Sequence, residues 1–130
     1  MKSIYYLRLL AICTVVLYSC KKNTDDLKPQ LAVPTVSTAA ITAITGNSAI
    51  SGGNISNEGG SSVTARGIIW GTGTSALTTT VDGVGSGSFA SNLSSLAPYT
   101  TYFVKAYATN ANGTAYGNLV SFKTGGAPPL

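Results

Sequence analysis

The sequence contains no histidine, only four carboxylate side chains and only two cysteines in 130 residues. Each shortage closes a class of function. Without histidine, the commonest general base and metal ligand is missing. The four acids are Asp25, Asp26, Glu58 and Asp82, and no run of them has the spacing of a calcium loop. Glu58 and Asp82 stand singly in separate turns, so no carboxylate pair for glycoside hydrolysis is written into the chain. A Ser–Lys dyad would have to recruit Lys105 or Lys123, both at solvated strand positions. The net charge of +4 misleads, because Lys2, Arg8, Lys21, Lys22 and Lys28 all precede Leu31. Beyond that point Arg66, Lys105 and Lys123 face Glu58 and Asp82, which leaves no electrostatic footprint for nucleic acid. The expectation is a non-enzyme with no catalytic residues, no metal and no cofactor.

A long hydrophobic run is lacking too. Leu9 to Tyr18 is apolar apart from Thr14, but a helix crossing a bilayer core of ~30 Å needs ~20 residues. Behind the cations Lys2 and Arg8, this stretch has the size of the apolar region of a secretory signal peptide. It ends at Leu17, Tyr18, Ser19 and Cys20, followed at once by charge. That ending resembles the lipobox of bacterial lipoproteins, with Leu17 and the small Ser19 as the cleavage-site residues and Cys20 as the lipidated one. The resemblance implies cleavage before Cys20, acyl chains on its thiol and amine, and an exported chain anchored to the bacterial outer membrane or cell surface. Each buried methylene contributes about 0.8 kcal/mol, so several acyl chains hold where one binds reversibly. The alternative is a secreted protein with a free cysteine near its start. Cys13 leaves with the leader, so the mature chain has no intramolecular disulfide and must hold itself together by packing. Residues 1–19 therefore read as the signal peptide, with a helical apolar run, and 20–32 as the lipidated cysteine with a tether. Fully extended, that tether reaches at most about 40 Å.

What remains is rich in Gly, Ser, Thr and β-branched residues, with 15 glycines. This mixture favours strands and turns. Apolar–polar runs recur at Thr35–Thr45, Ala49–Ser56, Val63–Trp70, Leu77–Val81, Phe89–Leu96, Thr100–Thr109 and Tyr116–Thr124. Between them lie Asn57–Ser62, the glycine-rich Asp82–Ser88 and the Asn-Gly turn at Asn110–Thr114. Seven short strands so spaced predict an all-β fold, a seven-stranded antiparallel β-sandwich of immunoglobulin-like type. Gly83, Gly85 and Gly87 lack the spacing, the Lys-Ser/Thr and the helix of a phosphate loop, so 82–88 reads as a flexible inter-strand loop. Asn54, Asn92 and Asn112 open Asn-x-Ser/Thr triplets, read as turn chemistry.

The run Leu96-x-Pro98-x-Thr100-x-Tyr102, followed by Val104 and Ala106, resembles the corner and sixth strand of fibronectin type III domains. "ARGIIW" and "AYATNANGTAYGN" resemble phrases of fibronectin-like modules in bacterial envelope proteins. The resemblance covers about 33–124, and it implies that the Tyr102 ring packs inside while its hydroxyl bonds to backbone a few residues upstream. One departure is plain. Type III domains carry a core tryptophan on the second strand, and Ser48–Ser56 has none; Trp70 is the available substitute. Residues 125–130, "GGAPPL", read as a linker-like tail leading towards a further domain.

Period-two alternation puts Tyr102, Val104, Ala106 and Ala108 on one face, expected in the core. Phe103, Lys105 and Tyr107 then form an aromatic stripe around a cation on the other. With Tyr116 and Trp70, and with Tyr99 as a further exposed ring, they are the candidate ligand contacts. Two functions fit. One is a monomeric spacer or protein-interaction and adhesion module meeting another envelope protein. The other is a glycan-binding accessory module meeting extracellular polysaccharide.

Overall fold

The computed structural model describes residues 31–73 and 77–127. Leu17, Ser19 and Cys20, the tether before Leu31 and the end of the tail lie outside the described residues. Eight strands follow one another: β1 (Thr35–Thr38), β2 (Ala49–Asn57), β3 (Ala65–Gly71), β4 (Thr78–Thr79), β5 (Gly87–Leu93), β6 (Thr101–Asn110), β7 (Gly113–Tyr116) and β8 (Val120–Lys123). They form two antiparallel sheets, β1-β2-β5 and β4-β3-β6-β7, with β8 also on β6. The architecture is the expected β-sandwich.

The eighth strand is β7, which occupies residues Gly113 and Thr114 expected in the Asn-Gly turn, with Ala115 and Tyr116; the run expected as the seventh strand, Tyr116–Thr124, gives β8 and only the last residue of β7. β7 pairs with Tyr107–Asn110 and β8 with Thr101–Val104, so both lie along the same side of β6. Between them the Thr38 hydroxyl takes over, accepting the Ala106 N–H at 2.9 Å, while the Thr38 N–H donates to Asn118 Oδ1 at 3.0 Å. A Cβ on Gly117 would stand 2.6 Å from Thr38 Oγ1, so the approach requires glycine there. The first strand is shorter than expected. Thr35–Thr45 was expected to be continuous, but β1 ends at Thr38 and only Thr42 bridges to β2, opposite Ile50. Ala43 at φ 49° confirms that the chain has left extended geometry.

Tyr102, Val104, Ala106 and Ala108 are buried, as alternation along β6 predicts. They face Ala49, Ile55 and Leu93 of the other sheet, with Ile68 beside them. The missing second-strand tryptophan has a packing reason. A Cβ on Gly53 would lie 2.7 Å from the Ala106 Cβ and 3.0 Å from Phe89 Cε1. The sheets approach too closely there for any ring on β2, and Phe89, paired with Gly53 across the strands, fills the place instead. Trp70 supplies aromatic volume from the opposite sheet, edge-on to Tyr102 with centroids 5.7 Å apart. Tyr102 in turn stacks on Phe122 at 5.8 Å. Such pairs contribute about 0.5–1.5 kcal/mol beyond their area.

The glycine-rich segment, expected to be flexible, is tied down. Asp82 N–H donates to Arg66 O at 2.7 Å, Arg66 N–H to Gly83 O at 3.0 Å and Gly85 N–H to Val63 O at 2.9 Å. The Arg66 guanidinium bonds the Ser86 carbonyl at 2.8 Å and lies 5.2 Å from the Phe89 ring centroid. Residues 78–85 thus continue the sheet edge beyond the short β4. Asn54 and Asn92, expected in turns, lie on β2 and β5; Asn112 does sit in the β6–β7 turn. Two residues placed outside 33–124 are bound into the sandwich. Ala32 O accepts from Asn110 Nδ2 at 2.8 Å, and Gly125 N–H donates to Thr45 O at 3.0 Å.

Candidate functional site

The corner residues assemble at one end of β6. The Tyr102 hydroxyl accepts the Ala97 N–H at 2.9 Å, five residues upstream. Leu96 is buried and its N–H donates to Asn47 O at 3.0 Å. Thr100 Oγ1 donates to Pro98 O at 2.9 Å. Sequence reasoning missed Thr124, whose buried hydroxyl donates to Ala97 O at 2.6 Å and accepts the Thr100 N–H at 2.9 Å. The corner is a structural device.

The outer face of the five-stranded sheet is different. Phe103 and Lys105 of β6 stand there with Ile69 of β3, Leu77, Gly73 and Leu119, lining a groove of about 380 Å³. Register explains the opening. Phe103 pairs with Gly71 on one side and Ser121 on the other, so no bulky neighbour covers its ring. Leu119 sits in the gap between β7 and β8 and is 65% exposed, because the break lifts it off the ladder. Leu77 precedes β4 and is also exposed. Lys105 pairs with Ile69, and its ammonium lies 4.3 Å from the Tyr116 ring centroid, a cation–π contact at the groove's side.

Tyr107 does not join this stripe. Although it shares the outer face, it is only 8% exposed, and its hydroxyl donates to Thr80 O at 2.6 Å. The reason lies opposite it. Tyr107 pairs with Gly67, and a Cβ on Gly67 would meet Thr80 O at 2.2 Å. The edge segment therefore closes over this end of the face. Burial, and secondarily the Asp82 carboxylate, raise the Tyr107 phenol above its ordinary pKa. The Thr80 hydroxyl joins the closure, donating to Asp82 Oδ2 at 2.6 Å and lying 3.0 Å from Ser91 Oγ.

Trp70 is half-buried. Its ring packs on the core, and its indole N–H is buried with no acceptor among the described residues. Tyr99 is 72% exposed but stands at the corner, with φ 53° and its hydroxyl against Gly126, away from the groove. Of the candidate contacts, the structure brings together Phe103 and Tyr116 around Lys105. Tyr107 is buried and Trp70 half-buried against the core, while Ile69, Leu77 and Leu119 join Phe103 and Lys105 in the groove. Among the described residues no group of three or more His, Cys, Asp or Glu could hold a metal ion.

No protein-family model matches the chain. No curated protein is similar to it in sequence. Solved structures are similar in fold. The sensor domain of the anti-sigma factor RsgI4 of Pseudobacteroides cellulosolvens aligns with a TM-score of 0.58 at 18% identity, over 74% of this chain and 98% of that one. A redesigned β-sandwich protein aligns at 0.54 and 22% identity, over 75% and 99%. The sixth fibronectin type III domain of human fibronectin type III domain containing protein 3 aligns at 0.52 and 20% identity, over 78% and 89%. At these identities the likeness concerns the fold: the described part of this chain is a β-sandwich similar to fibronectin type III domains.

Proposed function

We propose that this chain is a non-enzymatic, lipid-anchored cell-envelope protein whose β-sandwich is a spacer carrying a protein-interaction face. The observation that carries the reading is the open groove of Ile69, Leu77, Phe103 and Leu119 on the outer sheet. Large apolar side chains grouped in the open mark a contact surface more often than scattered ones do. The anchor rests on the sequence, on Leu17, Ser19 and Cys20 behind a short apolar run. A near-neutral sandwich on a tether suits a monomeric stalk that holds such a face clear of the headgroups. The neighbouring sensor and fibronectin type III domains, none of them named as an enzyme, agree with a binding module. Glycan binding is the weaker reading, because of the five rings it relied on Tyr107 is buried and Trp70 is half-buried against the core.

Two measurements test it. Cys20→Ala should move the protein from the membrane to the soluble fraction, and mass spectrometry of the wild type should show acyl chains on Cys20. Retention of the alanine variant on the membrane counts against the anchor. A photo-crosslinking residue at Leu119 in the anchored chain should yield protein adducts in intact cells. Carbohydrate adducts alone would favour the glycan reading.

A further inference from the structure

We infer that the groove receives a peptide segment of a partner protein that brings large apolar side chains and a carboxylate beside them. This inference rests on the interaction-module reading and specifies its ligand. Of the six described lining residues, four, Ile69, Leu77, Phe103 and Leu119, are apolar, and among them the only charged one is Lys105. Lys123 belongs to the same face, since Phe122 beside it turns into the core and Lys123 pairs with Thr101. The two described carboxylates are engaged elsewhere. Asp82 accepts from Thr80, and Glu58 lies in the β2–β3 loop, where it accepts from Val63 N–H at 3.4 Å. Neither lines the groove, so among the described residues the apolar floor with a cation at its side has no anion.

That charge pattern selects the occupant. Against the described lining residues a glycan's hydroxyls would find one polar side chain, Lys105. A peptide can place apolar side chains on Phe103 and Leu119 and still reach the Lys105 ammonium with an aspartate or glutamate. The Tyr116 ring holds that ammonium without neutralising it, so it stays available to a carboxylate. The volume of about 380 Å³ is at the low end of ligand sites, about 300–1,000 Å³, and suits a few side chains better than a folded domain. Opposite charge then sets orientation and partner choice more than total affinity.

The test is selection of a displayed random heptapeptide library on the purified full chain, followed by NMR titration of the selected peptides. The expected winners combine large apolar residues with Asp or Glu and shift the amide signals of Phe103, Lys105 and Leu119. Phe103→Ala should weaken them about tenfold, and Lys105→Glu should turn the selection from acidic to basic peptides. If Phe103→Ala melts early, Leu119→Ser serves in its place. No enrichment, enrichment blind to charge, or acidic winners retained by Lys105→Glu would each overturn the inference. So would concentration-dependent dimerisation that hides these signals, or binding of phosphatidylglycerol vesicles through this face in place of peptide. A failed selection combined with protein adducts at Leu119 would remove the acidic-peptide chemistry and leave the module reading intact.

Discussion

Along the outer face of β6, two aromatic rings each stand opposite a glycine of β3, and they end in different surroundings. Phe103 faces Gly71 and stays open, while Tyr107 faces Gly67 and is buried. The strand, the face and the cross-strand partner type are the same. What differs is the neighbouring edge: at Gly67 the chain returns as Thr80–Gly85 and closes over the ring, and at Gly71 none of the described residues does. A phenol can pair with the returning backbone, and Tyr107 does so at Thr80 O; a phenyl has nothing to offer it. Exposure on an outer sheet face is thus set by what the edge does, not by alternation along the strand.

The comparison can be broken most forcibly at Gly67. Gly67→Ala places a Cβ where Thr80 O now lies, so the edge must move away. A loss of about 1–3 kcal/mol is expected in denaturant unfolding, with increased exposure of Tyr107. An unchanged melt would mean that the edge is not held against β3. A smaller effect is expected from Tyr107→Phe, about 1 kcal/mol at neutral pH, for the lost bond to Thr80.

That second variant also has a pH signature. The folded phenol holds its proton above the ordinary value, so below about pH 10 the contribution of Tyr107 is fully present. As pH rises past that point the unfolded chain releases the proton first, which favours unfolding. The wild-type advantage over Tyr107→Phe should therefore shrink above about pH 10 and be lost as the folded phenol ionises. A gap that stays constant to higher pH would contradict the burial of this ring. The smallest effect belongs to the open end: Leu119→Ser should change stability by no more than about 0.5 kcal/mol, while altering binding. A large loss of stability there would show that Leu119 is structural.

Much of the fold was legible in the chain. The spacing of turns and the inward set Tyr102, Val104, Ala106 and Ala108 specify a sandwich, because burial on a strand has period two. The corner could be read from Leu96, Pro98, Thr100 and Tyr102, since its key bond spans only five residues. The groove was half legible. Phe103 and Tyr116 stand out as aromatic, but Ile69, Leu77 and Leu119 look like ordinary core residues in the sequence. Only the register of β3 on β6, and the break between β7 and β8, bring them to one surface. The burial of Tyr107 had no local sign, because its partner Thr80 lies 27 residues away.

By itself the sequence determined the class of fold, the scarcity of histidine, acid and cysteine side chains, and the identity of Cys20 as the residue to test for an anchor. Those depend on composition, on local spacing and on contacts a few residues apart. The tertiary structure decided which aromatic rings meet solvent, why the second strand carries glycine in place of a large ring, and where Lys105 meets an apolar floor. These depend on how closely distant segments approach, as at Gly53, Gly67 and Gly117, and such distances are fixed only when both sheets are packed.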